Sequence, residues 1–330
     1  MNSGTYSLDD PLVNLLLDAE RPDSFEAAVK QMMGAVITSF KQEIAQKQLY
    51  YHSLHHVMAV QRRSQQIFQA LRPYWQPEPG NAEPLDRLAH LLDLCAITHD
   101  WVQEFLPQAE PHTPRRRASG VSERATIDKL NSYIDVFNRR IQTQWPDDSA
   151  ALFQPSDRYL IQEAIMATIC VFDPVEQAIF QPDLYDRHPP VSYLTRILAL
   201  ADIGSLAMEG IESYNQEGSL LFLEENLDLI PLIQSSEIYH LSHDNPELAE
   251  TWRQRLLRRT RFQVHFAHSR FNRTQQELAA FPPEAIAPLT QTAFPFLRPD
   301  VLSTLESTTP TDTDTPLATL VDFFQFPMNL

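Results

Sequence analysis

Apolar residues recur along this chain every three or four positions, the repeat that lines one face of an α-helix. Val29, Met33, Val36, Phe40 and Ile44 form one such stripe. Val57, Val60, Ile67 and Leu71, with Ser64 in line, form a second, and Ile127, Leu130, Ile134, Phe137 and Ile141 a third. Two runs are denser. Leu91 to Ile97 is apolar almost all round, and the stretch 191–210, VSYLTRILALADIGSLAMEG, is heavily apolar too. Helices of that kind are buried on most sides. A further helix-like run covers 156–171, and no run alternates apolar and polar residues as a half-buried strand would.

Helix ends can be read in the same way. Asp10-Pro11 has the form of an N-cap followed by a first-turn proline, and Asp23 with Glu26 that of a capping box. Ser122 is placed to cap the third stripe, and Asn245-Pro246 opens an arginine-rich helix reaching about Ala280. Pro73, Pro77, Pro79 and Gly80 end the second stripe. The segment 105–121, FLPQAEPHTPRRRASGV, lacks any period and predicts a long surface loop. STTPTDTDTP is low in complexity and predicts a flexible linker. The apolar LATLVDFFQFPMNL after it predicts docking, either back on the domain or on a partner such as a second copy of the chain.

Composition sharpens this picture. Seven glycines against 25 prolines in 330 residues favour helices with proline-marked ends over tight-turned sheets. A net charge of −17 argues against nucleic acid and anionic membrane as partners, since both demand basic patches. Cys95 and Cys170 lie in apolar runs and predict reduced core thiols. With an opening, MNSGTYSLDD, that is not basic-then-apolar, they predict a cytoplasmic protein. No stretch is long and apolar enough for a bilayer.

The chemistry lies where polar residues interrupt apolar helices. YHSLHHV, at 51–57, holds three of the chain's 11 histidines. His99 and Asp100 end one dense run, and Asp202 sits in the other. A buried ionised carboxylate costs several kcal/mol unless it is paired or binds a cation. Imidazole and carboxylate together suit a divalent ion: Mn, Fe, Co, Ni or Zn. His52 and His56 are four apart and share a helix face. His56 falls in line with Val60 and Ile67, on the buried side, and is preferred as ligand over His55, which falls in line with Arg62.

In this order the elements resemble the HD-domain metal-dependent phosphohydrolases. YHSLHHVMAV is similar to their YHN..H...V element, shared with cyclic-nucleotide phosphodiesterases. CAITHDW is similar to their ALLHDIG, and LALADIGSLAMEG to their last-ligand helix. The likeness runs over roughly 45–225. It implies His56, His99, Asp100 and Asp202 as metal ligands, with Asp100 bridging if a second ion binds. It further implies His52 as the proton donor to the leaving oxygen, and Glu123 as an acid near the site that orients water or substrate. An ordinary first-turn glutamate explains Glu123 equally well. Arg115, Arg116 and Arg117 could clamp a phosphate, though a solvated loop is the simpler account.

The chain also departs from the family. Gln103, with Glu104 next to it, stands where many members have His or Glu, and the glycine usual soon after the pair is missing. Only His112 and His188 lie between the pair and Asp202, both in proline-rich loops. One well-held divalent ion (Mn, Fe, Co, Ni, Zn or Mg) is therefore expected, with a second weak or absent.

The expected architecture is all-α: an HD-type helical bundle over 46–225, N-terminal helices over 1–45 packing on it, a helical extension over 226–302, and a linker and apolar tail over 303–330. The expected activity is metal-dependent hydrolysis of a phosphomonoester or phosphodiester in a small molecule, plausibly a nucleotide. The alternatives are a non-catalytic metal- or ligand-binding module and a metal-free interaction scaffold. His240 with His243 and His265 with His268 lack a suitably placed acid and are expected to be structural or exposed.

Overall fold

The structure is a computed structural model describing residue 16 and residues 19–75, 84–108, 113–146, 149–185 and 190–327. The cap predicted at Asp10-Pro11, the breakers Pro77, Pro79 and Gly80, and His112 and His188 lie outside these residues. The described chain is mostly helical, as expected of an all-α fold, with one two-stranded sheet. Its contacts gather into two units. The first comprises 1–104, 119–169 and 186–202; the second comprises 105–118, 170–185 and 203–330.

The first unit is built on helices α1 (Phe25–Lys47), α2 (Leu54–Leu71), α3 (Leu85–Thr98), α4 (Val121–Gln144), α5 (Pro155–Met166) and α6 (Tyr193–Asp202). α3 packs against α1 and α2, and α6 against α2 and α5. The stripe Val57, Val60, Ser64, Ile67 and Leu71 is fully buried, and Ile127, Leu130, Ile134, Phe137 and Ile141 are buried too. On α1 the stripe shifts by one residue: Met32, not Met33, joins Val29, Val36 and Phe40 in the core. Its cap also shifts by one. Ser24, not Asp23, is the N-cap, and its hydroxyl accepts from the Ala27 amide at 3.2 Å. Ser122 does not cap α4 either. Gly120, at φ +74°, takes the N-cap position, a left-handed turn that glycine adopts without Cβ strain. The Ser122 hydroxyl instead accepts from the Glu104 amide at 3.0 Å.

The helix-like run 156–171 stops early. α5 ends at Met166, and β1 (Val171–Asp173) pairs antiparallel with β2 (Ala178–Phe180), Phe172 opposite Ile179. Arg273 fixes this hairpin through Asp173 at 2.9 Å and Glu176 at 3.0 Å. The run 191–210 is also divided: α6 ends at Asp202, and α7 (Ser205–Glu209) begins after Gly204. α8 (Ile211–Glu225), α9 (Ile230–Gln234) and α10 (Leu241–Asp244) lead to the predicted long helix, α11 (Pro246–Leu278). Its N-cap is Asn245, whose side chain accepts from the Leu248 amide at 3.1 Å. α8 comes close to α11: a Cβ on Gly218 would lie 2.3 Å from Gln263 Nε2.

The segment expected to be a flexible linker is fixed instead. Its first residues belong to α13 (Pro299–Thr308), which follows α12 (Pro283–Pro288). Arg261 donates to the Thr311 carbonyl and Thr313 hydroxyl, and Arg253 to the Thr313 carbonyl. The apolar tail forms α14 (Leu317–Phe324), which packs on α11; Phe324 stacks on Phe222 of α8 at 5.6 Å. So Arg253, Arg255, Arg261, Arg270 and Arg273 of α11 are matched from within their own unit, by ion pairs and by backbone carbonyls.

Candidate metal centre

Three helix ends meet in the first unit. His56 lies in the first turn of α2, His99 caps the C-terminus of α3 with Asp100 just beyond, and Asp202 is the last residue of α6. A helix C-terminus carries a partial negative charge, so two of these ends add to two carboxylates at one place. Such a convergence calls for a cation.

The geometry matches that need. His56 Nε2 stands 3.3 Å from Asp100 Oδ2 and 3.3 Å from Asp202 Oδ1. His99 Nε2 stands 3.1 and 3.5 Å from the same two atoms. One ligand atom from each of the four residues lies within 4.8 Å of all the others, and the cluster could hold a metal ion. Ligands about 2.1 Å from a shared cation stand about 3.0 Å apart at a right angle and about 3.4 Å apart at a tetrahedral one. Three of the four His–Asp separations fall in that range, and the fourth, at 3.5 Å, lies just beyond it.

His99 supplies a second test of fit. Its Nδ1 lies 2.9 Å from the Ala96 carbonyl, which makes Nδ1 the donor and turns the Nε2 lone pair toward the carboxylates. Nε2 is buried and makes no hydrogen bond, although two carboxylate oxygens surround it. A lone pair facing carboxylates is repulsive unless a proton or a metal ion lies between them. Two neutral imidazoles with two carboxylates carry the charge that balances a divalent cation.

Without the metal, a proton takes that place. Burial pushes the His99 pKa down, but the Asp100 and Asp202 carboxylates overcome it and hold the imidazole well above its ordinary 6.5. Burial likewise pushes both acids up. Opposing it, His99, His52 and His56 drive Asp100 well below 3.8, and His56 and His99 bring Asp202 to about 2. The stabilisation tied to His99 is complete below 6.5 and fades as pH rises through its folded value. That tied to Asp202 is complete above 3.8 and fades as pH falls toward about 2. A cation that binds Nε2 must displace the His99 proton. Metal binding at neutral pH is therefore predicted to release protons and to weaken as pH falls. Calorimetry in two buffers of different ionisation enthalpy checks this; equal apparent enthalpies would contradict it.

The remaining candidates are placed as follows. His55 is exposed while His56 is buried, the side expected of each. His52 is buried, with Nε2 3.9 Å from Asp100 Oδ2. Tyr51 packs on both imidazoles, its centroid 4.3 Å from His56 and 4.8 Å from His52. Glu123 is half-buried in the first turn of α4 and is not one of the four clustered residues. Arg115 belongs to the second unit, where it donates to the Glu224 carbonyl and lies over the Phe105 ring; Arg116 and Arg117 are exposed there.

No protein-family model, curated protein or solved structure matches this chain.

In the sequence Gln103 stands out only as a departure from a family pattern. It is fully buried, and its amide donates to Asp100 Oδ1 at 3.1 Å. Its spacing of three from Asp100 was the available signal. Among the described residues, no helix is long and apolar enough to cross a membrane.

Proposed function

We propose that this protein is a metal-dependent phosphohydrolase of the HD-domain type, acting on a small phosphorylated molecule, a nucleotide being the leading class. The observation that carries the reading is the gathering of His56, His99, Asp100 and Asp202, from three helix ends, into one ligand-sized cluster. A divalent cation held there supplies Lewis acidity, activating water and neutralising charge on phosphoryl oxygens.

The chain's own residues provide the rest. The Ala96 carbonyl fixes the His99 tautomer, and Gln103 orients Asp100. His52, held beside Asp100 and edge-on to Tyr51, is the group to donate a proton to the departing oxygen. Glu123, in the first turn of α4, is the acid proposed to orient water or substrate.

The test is turnover. Protein loaded in turn with Mn, Fe, Co, Ni, Zn and Mg is offered a panel of phosphomonoesters and phosphodiesters, nucleotides included, with a chelator-treated control. Chelator-sensitive release of phosphate or of the alcohol is expected. A metal-loaded chain that hydrolyses nothing across the panel would leave a non-catalytic binding module in its place.

A further inference from the structure

Asp100 has two carboxylate oxygens, and they face different surroundings. Oδ2 faces the imidazoles, 3.1 Å from His99 Nε2, 3.3 Å from His56 Nε2 and 3.9 Å from His52 Nε2. Oδ1 accepts the Gln103 amide at 3.1 Å, and that amide also reaches the Asp100 carbonyl at 3.2 Å. Gln103 is itself fully buried and anchored: its backbone carbonyl accepts from Lys47 Nζ at 2.7 Å, and Lys47 pairs with Glu43 and Glu104.

A carboxylate that bridges two cations commonly gives one oxygen to each. The amide N–H held on Oδ1 occupies one of that oxygen's two lone pairs and fixes the plane of the carboxylate, so a second cation on Oδ1 must compete with it. We propose that Gln103 is a positioning residue that makes this centre mononuclear, restricting Asp100 to one metal-facing oxygen. The proposal rests on the metal-centre reading above and adds to it a stoichiometry and the residue that sets it.

The experiment is a Mn(II) titration of the full chain, with elemental analysis after gel filtration and electron paramagnetic resonance of the loaded samples. Wild type should bind one Mn per chain and show an isolated-ion spectrum. Gln103→Glu removes the amide donor and places a second carboxylate beside Oδ1; it should bind two Mn per chain and show a spin-coupled spectrum. Gln103→Met keeps the side-chain bulk without the donor; it should bind Mn about 10–100-fold more weakly, the usual effect of losing an outer-shell partner. Two ions on the wild-type chain would overturn the proposal even if neither variant folds. So would a folded Gln103→Glu that keeps one ion and the wild-type spectrum, or a Gln103→Met of unchanged affinity. No Mn on the wild-type chain would instead overturn the metal centre itself, a failure distinct from the others.

Discussion

An Asp100→Asn chain is expected to come through purification without its divalent ion and to lose any phosphohydrolase activity by at least about a thousandfold. Asp100 is the acid most committed to the cluster, since Oδ2 faces three imidazoles within 3.9 Å. Asparagine fills the same volume but removes the negative charge, so two imidazoles and one carboxylate remain to balance a divalent cation. The loss should exceed the roughly 10–100-fold in affinity that follows removal of an outer-shell partner. His99→Ala is the companion variant. It removes the imidazole whose Nε2 faces both carboxylates. Elemental analysis of wild type beside both variants decides the matter. An ion retained in full by both would mean that it binds elsewhere, and a variant that kept full hydrolytic activity would exclude the mechanism.

Much of this centre was legible in the sequence because its physical cause is local. A carboxylate at the end of an apolar helix is an energetic anomaly that composition alone exposes, and Asp100 and Asp202 are both of that kind. His56 could be separated from His55 because helical phase assigns them to different sides, and the phase came from Val60 and Ile67. Gln103 was visible as a position but not as an interaction. Its hydrogen bond depends on how the chain turns after α3, and no period describes that turn.

The fold shows the same limit. Helix stripes were legible wherever the period ran for three turns or more. The hairpin at 171–180 was not, because three-residue strands are too short for alternation to show and the preceding apolar run continues into them. What holds the hairpin is remote in sequence: Arg273 reaches Asp173 and Glu176 from α11. The acidic, threonine-rich segment before the tail suggested a linker on composition. Its order comes from Arg253 and Arg261, which bond carbonyls that any sequence would present.

Glu277→Ala is expected to be the most damaging single change in the second unit. Glu277 and Arg270 lie two turns apart on α11, almost fully buried, and the guanidinium donates to Glu277 Oε1. The Tyr185 hydroxyl donates to the same oxygen, and burial, with Glu277 beside it, pushes that phenol upward. Removing the carboxylate leaves a buried guanidinium without its counter-charge and a buried phenol without its acceptor. Breaking one side of such a pair costs about 3–5 kcal/mol. Replacing both charged partners with apolar residues of similar volume, Arg270→Met with Glu277→Leu, should recover most of that loss, because the larger part of the cost is desolvation of the charge left behind. Denaturant unfolding of wild type, the single variant and the double variant measures both values. The ion count per folded chain should stay at the wild-type value, since no proposed ligand lies in this unit. A single variant within about 1 kcal/mol of wild type would mean that water reaches Arg270 and that the pair is not desolvated.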